Sequence, residues 1–263
     1  MSKTILITGA GTGIGRDAAF ALAARGHRVI ATTQTEAQAA TLRADSRTAT
    51  AGLEVFALDI TQAADRERLR PLPLDVLINN AAIGDSGSLA EVDVDRIRKT
   101  FEVNVFATLE LTQVALVGMI ERERGTVLFI SSIAGRIPMP FLMPYGMTKF
   151  AVSAAAAALR AEMDELGRHV QVAVIEPGAI HTGFNQAMAD RKYEWMDRQS
   201  YFSGRTAAMR AKERGVFSRV EATSTRSIVT QIVKAAEARR PRLRYVAPWL
   251  HGAVVRWLRI LGV

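Results

Sequence analysis

Thr8-Gly9-Ala10-Gly11-Thr12-Gly13-Ile14-Gly15 follows an aliphatic run at 4–8 and leads straight into a helical run at 16–25. Glycines at such a turn let the backbone approach a pyrophosphate, and the amides and dipole of the next helix stabilise its charge. A lone glycine cluster also fits a tight strand-to-helix turn. Its place after the first strand and before an amphipathic helix makes dinucleotide binding the stronger reading.

Outward from this turn, short β-branched or aliphatic runs alternate with longer helical patterns. The runs lie at 4–8, 28–33, 54–58, 76–79, 126–131, 171–176 and 244–247, and the helical patterns near 14–25, 35–44, 62–69, 93–122, 146–166 and 222–238. Alternation of this kind is the signature of βαβ units, and strands apolar throughout are covered on both faces. The expected fold is α/β: a Rossmann-type doubly wound parallel sheet with helices on both faces, in one domain over 1–263. Residues 183–220 form a polar and aromatic insertion that reads as a lid.

Composition narrows the chemistry. With 263 residues, 49% of them hydrophobic, the chain can build one sizeable core. It has no cysteine, which removes disulfides, thiolate nucleophiles and Cys-ligated zinc, and its four histidines are scattered, so no metal site is expected. No basic segment precedes an apolar stretch at the N-terminus, and no run of eighteen apolar residues occurs. Neither a signal peptide nor a spanning helix is expected, and the expected location is cytoplasmic. The net charge of +8 belongs to the last third: residues 1–180 carry 18 basic and 20 acidic side chains, residues 181–263 carry 16 and 6. Arg239, Arg240, Arg242 and Arg244 have only Tyr245 for aromatic company, which disfavours nucleic acid.

Tyr145-Gly146-Met147-Thr148-Lys149 opens a helix after Pro144. Residues i and i+4 share a helix face, so phenol and ammonium can point into one cavity. A nearby cation favours phenolate and brings the phenol towards a useful proton-transfer range. Alone, such a pair is more often a solvated face. Here it is accompanied by Asp59, Asn79-Asn80-Ala81, Asn104, Ser131-Ser132, Pro177-Gly178 and Thr182. In this order, with the Thr8-to-Gly15 turn, the chain resembles the short-chain dehydrogenase/reductases of the single-domain type over its first 183 residues. Ser132, thirteen residues before Tyr145, has the family's usual separation and is chosen over Ser131.

The resemblance implies an NAD(P)-dependent enzyme acting on CH–OH and C=O groups. Ser132 would hold the substrate oxygen, Tyr145 would transfer its proton, Lys149 would hold the nicotinamide ribose and lower the Tyr145 pKa, and Asn104 would support a water-linked relay. Hydride transfer to a carbonyl develops alkoxide charge, which such donors stabilise. Asn104 alternatively bends its helix as a hydrogen bonder. Cofactor binding is assigned to Gly9, Thr12, Gly13, Ile14, Gly15, Thr33, Gln34, Asp59, Ile60, Asn80, Ala81, Ala82, Tyr145, Lys149, Pro177, Gly178, Ile180 and Thr182. Asp59 is expected on adenine, or else capping the helix that begins near Gln62.

Two positions depart from the family pattern. Ala82 stands where glycine is common. The second strand ends Ala31-Thr32-Thr33-Gln34 with no acid before Glu36, so the carboxylate that marks NAD preference is missing, as is the arginine expected for NADP. Lost repulsion favours NADP(H), with NAD as the alternative.

The loop from Ile137 to Pro144 and the lid residues Phe184, Met188, Tyr193, Trp195, Met196, Tyr201 and Phe202 suit a lipophilic steroid-, retinoid- or ketone-like substrate. They equally suit packing of lid on body. The basic amphipathic tail, residues 249–263, with Arg239 to Arg244 upstream, reads as packing against the protein's own surface or a partner subunit, or else as peripheral contact with an anionic membrane. A homodimer or homotetramer is what the resemblance suggests. A non-catalytic dinucleotide sensor of the same fold is the alternative function; retention of Ser132, Tyr145 and Lys149 argues against it.

Overall fold

Seven strands pair in parallel in a computed structural model that describes residues 2–167 and 169–262. They are β1 (Thr4–Ile7), β2 (Arg28–Thr33), β3 (Glu54–Ala57), β4 (Val76–Asn79), β5 (Arg124–Ile130), β6 (His169–Pro177) and β7 (Arg244–Ala247), in the order β3-β2-β1-β4-β5-β6-β7. The order reverses between β1 and β4, where Leu6 sits opposite Leu77. Ligand crevices of open α/β sheets form at such a reversal, beyond the carboxyl ends of the strands.

Strand periodicity builds two cores at once. Ile5, Ile7, Val76, Ile78, Leu128, Ile130, Ala173 and Ile175 point to one face. Leu6, Leu77, Val127, Phe129, Val172 and Val174 point to the other. Both faces are dry, which is why these strands show no polar alternation.

The connecting helices are α1 (Gly13–Ala23), α2 (Glu36–Ala44), α3 (Ser46–Ala51), α4 (Ala63–Glu67), α5 (Val94–Phe101), α6 (Thr108–Glu121), α7 (Met143–Glu165), α8 (Phe184–Arg191), α9 (Tyr193–Gln199), α10 (Thr206–Val220), α11 (Arg226–Glu237) and α12 (Trp249–Ile260). Ala18, Leu22, Leu42, Ile228 and Ile232 bring α1, α2 and α11 onto the first face. Leu111, Ala115, Val152 and Ala156 bring α6 and α7 onto the second. Thr35 and Gln38 close a reciprocal capping box on α2. Pro144 lies in the first turn of α7, where its missing N–H leaves no partner unsatisfied.

One expectation is corrected and two points are added. The single long helix at 93–122 is α5 and α6 joined by a π-helical segment, Glu102–Ala107. The insertion at 183–220 is itself helical, forming α8, α9 and α10, and its base is closed where Ile180 bridges Ala222. Finally, residues 94–121 make one helix long and apolar enough by composition to cross a membrane; half of its most apolar stretch is buried in this domain.

Candidate active site

The glycine turn is laced to the loop after β4. Asn80 Nδ2 donates to the carbonyls of Thr8 (2.9 Å) and Gly9 (3.0 Å), while Thr8 Oγ1 accepts from the backbone N–H of Asn80 and of Ala81. Gly9 has φ +63°, and a Cβ there would lie 2.8 Å from Ala81 Cα; one on Gly15 would lie 2.4 Å from Asn80 Nδ2. These glycines therefore serve backbone packing inside the protein as well as access from the cleft. Thr12, at the N-cap of α1, makes no side-chain capping bond, and the first turn holds no acid. The positive end of that helix is left uncompensated at the mouth of the cleft.

At the end of β2, Thr33 Oγ1 donates to Thr35 O (3.0 Å) and Gln34 Nε2 to Asp59 Oδ2 (3.3 Å). Glu36 pairs with Arg43 along α2, and neither lines the cleft. Asp59 does not cap α4, whose N-cap is Gln62; its Oδ1 accepts from Thr61 N and Oγ1 instead. Burial works against the Asp59 carboxylate, but the bonds from Thr61 and Gln34 outweigh it and hold its pKa below the usual range.

Ser132 follows β5 and caps a 3-10 turn, Ile133–Gly135, its Oγ accepting from Ala134 N at 3.1 Å. The neighbouring hydroxyl faces the other way. Ser131 Oγ bonds Lys149 O (3.0 Å) and Ser153 Oγ (2.7 Å), tying α7 to the end of β5. Tyr145 is buried, with its ring 5.7 Å from that of Phe184. Burial pushes its phenol pKa up, and a hydrogen bond with the Ser132 side chain pulls it partly back. Lys149, 4% exposed, donates from Nζ to Ile130 O at 2.8 Å and lies 5.4 Å from the Tyr145 ring centroid. Burial lowers its pKa to about 8. The expectation that Lys149 brings the phenol down is thus not what this arrangement yields: desolvation dominates both groups, and the opposing pull on Tyr145 comes from Ser132.

Asn104 sits in the π segment and does more than bend a helix. Its Oδ1 accepts from Ile83 N (2.8 Å), and its Nδ2 donates to Ile83 O (2.9 Å) and Thr148 Oγ1 (3.1 Å). Thr148 Oγ1 in turn donates to Tyr145 O at 2.7 Å. The loop after β4 and the first turns of α7 are thereby held in one frame.

A cleft of about 1060 Å³ unites these parts. Every residue assigned to cofactor or proton transfer lines it except Asn104, which stands behind it. Asn79, which precedes Asn80 and Ala81 in the same motif, is buried in β4 and bonded to Thr112. Of the residues expected around a substrate, Met139, Pro140, Phe141, Leu142, Phe184 and Met188 reach the cleft. Tyr193 is buried with its hydroxyl on Glu213, Met196 is buried, Trp195 lies over Gly87, Phe202 stacks edge-on with Phe141, and Tyr201 is 86% exposed. Sequence reasoning missed Gln38 and Thr41 on α2 and Met209, Lys212, Glu213, Val216 and Phe217 on α10. The spacing of the last five marks one helix face, a signal present in the sequence. It also missed His251 of α12, which packs so closely on Gly178 that a Cβ there would fall 2.1 Å from Nδ1.

A family model described as short chain dehydrogenase matches residues 3–192. A mouse protein named dehydrogenase/reductase SDR family member 7B is 34% identical over 262 residues, which is 95% of this chain and 79% of that protein. Among solved structures, a short-chain dehydrogenase from Sphingobium yanoikuyae in complex with NADPH superposes with a TM-score of 0.75 at 25% identity, covering 99% of this chain and 92% of that one. One from Burkholderia phymatum in complex with NAD gives 0.80 at 24%, covering 97% and 92%. The chain belongs to the short-chain dehydrogenase/reductase family of NAD(P)-dependent oxidoreductases.

Proposed function

We propose that this chain moves a hydride between a nicotinamide cofactor and the carbonyl or secondary alcohol carbon of a lipophilic small molecule. The observation that carries the reading is the meeting of Ser132, Tyr145 and Lys149 in a cleft that runs to the uncapped start of α1. The residues fit a dinucleotide: free first-turn amides for the pyrophosphate, Asp59 and Ile60 beyond β3 for adenine, Lys149 for ribose hydroxyls. When bound, the cofactor supplies or accepts the hydride. Ser132 and Tyr145 hold the substrate oxygen, and in reduction the Tyr145 phenol gives its proton to that oxygen as negative charge develops. Oxidation reverses the transfer. Lys149 holds the ribose hydroxyls, and Asn104 keeps the Ile83 loop and α7 in register and supports the relay that returns the proton.

NADP(H) is the cofactor we favour. The acid that follows β2, Glu36, is turned onto Arg43, and the cleft there is lined by the neutral residues Thr33, Gln34, Gln38 and Thr41, with Asp59 bonded to Gln34. A lower KM for NADPH than for NADH is expected, and a strong NADH preference overturns the assignment. The test of activity is oxidation of NADPH by a panel of hydrophobic ketones, read by absorbance. Tyr145→Phe is expected to lose about 10²- to 10⁴-fold of the rate. If no ketone is turned over faster by the wild type than by that variant, the sensor reading replaces this one.

The chain is proposed to work in the cytoplasm as a homodimer or homotetramer. The support is α12, whose outward face bares Trp249, Leu250, Val254, Trp257 and Ile260, all at least half exposed. Peripheral contact with an anionic membrane is the other use of that face. It has less charge behind it than the sequence suggests, because Arg239 and Arg240 lie in the loop between α11 and β7, across the length of β7 from α12, leaving Arg256 and Arg259 on the helix.

A further inference from the structure

The cleft carries two lysines and a glutamate that proton transfer does not use. Phe184 and Met188 line it from α8, and Lys192, one turn further on, lines it too. Phe184 and Met188 pack with Tyr145. Eight residues at the rise of a helix place Lys192 about 12 Å along from Phe184. Lys192 is only 3% exposed, and its Nζ donates to Glu213 (2.9 Å) and to Ala189 O (3.2 Å). Glu213 also accepts from Tyr193 OH at 2.8 Å, so its carboxylate is already well supplied with donors. Lys212, beside it on α10, lines the same cleft and has no ion pair among the described residues. The three groups together carry one net positive charge.

A buried lysine paired with a partly exposed carboxylate in an apolar wall does not explain itself by stability, since apolar residues of similar size commonly serve as well or better. Ligand clefts are mostly apolar, and the few charged groups that line them fix the orientation of what binds. We infer that Lys192 and Lys212 form an anion subsite, and that the substrate is an amphiphilic oxo- or hydroxy-acid: a reacting carbon at Tyr145, an apolar body along Phe184 and Met188, and a carboxylate at the lysines. This rests on the hydride-transfer reading for what happens at Tyr145, but the subsite is a binding claim with its own readout.

The probe is 10-oxoundecanoate, whose carboxylate stands off from its ketone by a similar span, compared with its methyl ester. The wild type is expected to take the acid with a kcat/KM about tenfold above the ester, the scale of one hydrogen bond to a charged group. Lys212→Ala should erase most of that ratio, and Lys212→Glu should invert it; position 212 is exposed on a helix, so neither change threatens the fold. A ratio near one in the wild type, or a ratio that both variants leave intact, overturns the subsite and returns the Lys192–Glu213 pair to a clasp between α8 and α10. Calorimetric titration of the NADP⁺-loaded protein with both compounds keeps the two readings apart. Acid bound about tenfold tighter than ester without any turnover sustains the subsite and sinks hydride transfer to ketones; equal binding alongside turnover does the reverse.

Discussion

Burial sets the protonation of Tyr145 and Lys149 in opposite senses, and the second has a consequence for stability. The Lys149 pKa falls from 10.5 to about 8 on folding. Between those values the unfolded chain holds a proton that the folded chain has released, so stability rises with pH there, and the penalty of burying the ammonium is fully present below pH 8. The expected outcome is that wild type gains about 2 kcal/mol relative to Lys149→Met between pH 7 and 10. Urea denaturation of both proteins at stepped pH measures it, and a constant difference refutes it. Ser132→Ala should lower kcat for ketone reduction by about 10²- to 10³-fold, the usual loss when one donor to a developing oxyanion is removed. Gly15→Ala forces a methyl to within 2.4 Å of Asn80 Nδ2 and 2.8 Å of Gly9 O. It should cost about 1–3 kcal/mol in denaturant melts and weaken cofactor binding, since the turn cannot shift without loosening the loop after β4.

The π segment of the α5–α6 helix places Asn104 where a continuous α-helix would not. Asn104→Ala leaves both polar groups of Ile83 unpaired and should destabilise the fold by about 2–4 kcal/mol. Asn104→Asp keeps the acceptor for Ile83 N but loses both donors, so an intermediate loss in thermal melts is expected. Equal losses would mean that the acceptor for Ile83 N contributes nothing and that the lost donors to Ile83 O and Thr148 carry the effect. The sequence announced this helix by its apolar periodicity yet held no sign of the π turn, because one extra residue in a turn does not disturb a pattern read over 28 residues. Strands were legible for the opposite reason. Each is a short run buried on both faces, so composition alone marks it, and Phe129 or Leu6 could scarcely stand anywhere but a core. The lid was the least legible part. Tyr193, Trp195 and Met196 are as apolar as Phe184 and Met188, and only tertiary packing decides which of them meet the cleft.

Across the whole molecule the catalytic set was readable because the chemistry demands particular side chains at particular spacings, whereas the walls that choose a substrate need only be apolar and near. The same distinction applies to α12. Its inward face is fixed by Val255 and by His251 against Gly178, while its outward apolar face awaits an occupant. In sedimentation velocity the full chain should run as a dimer or tetramer, and a chain ending at Pro248 should run as a smaller species. An unchanged sedimentation coefficient per subunit mass, with pelleting on anionic vesicles lost on truncation, would assign the face to lipid instead. All seven strands run the same way, so every residue of the site lies beyond their carboxyl ends, and the helix-to-strand turns at Gly26, Gly52 and Gly167 gather at the opposite end. A Cβ at any of these three glycines would meet nothing within 4 Å. That end is where the protein can be anchored to a bead, joined to a reporter domain or cut and religated, with the working face left pointing away from the attachment.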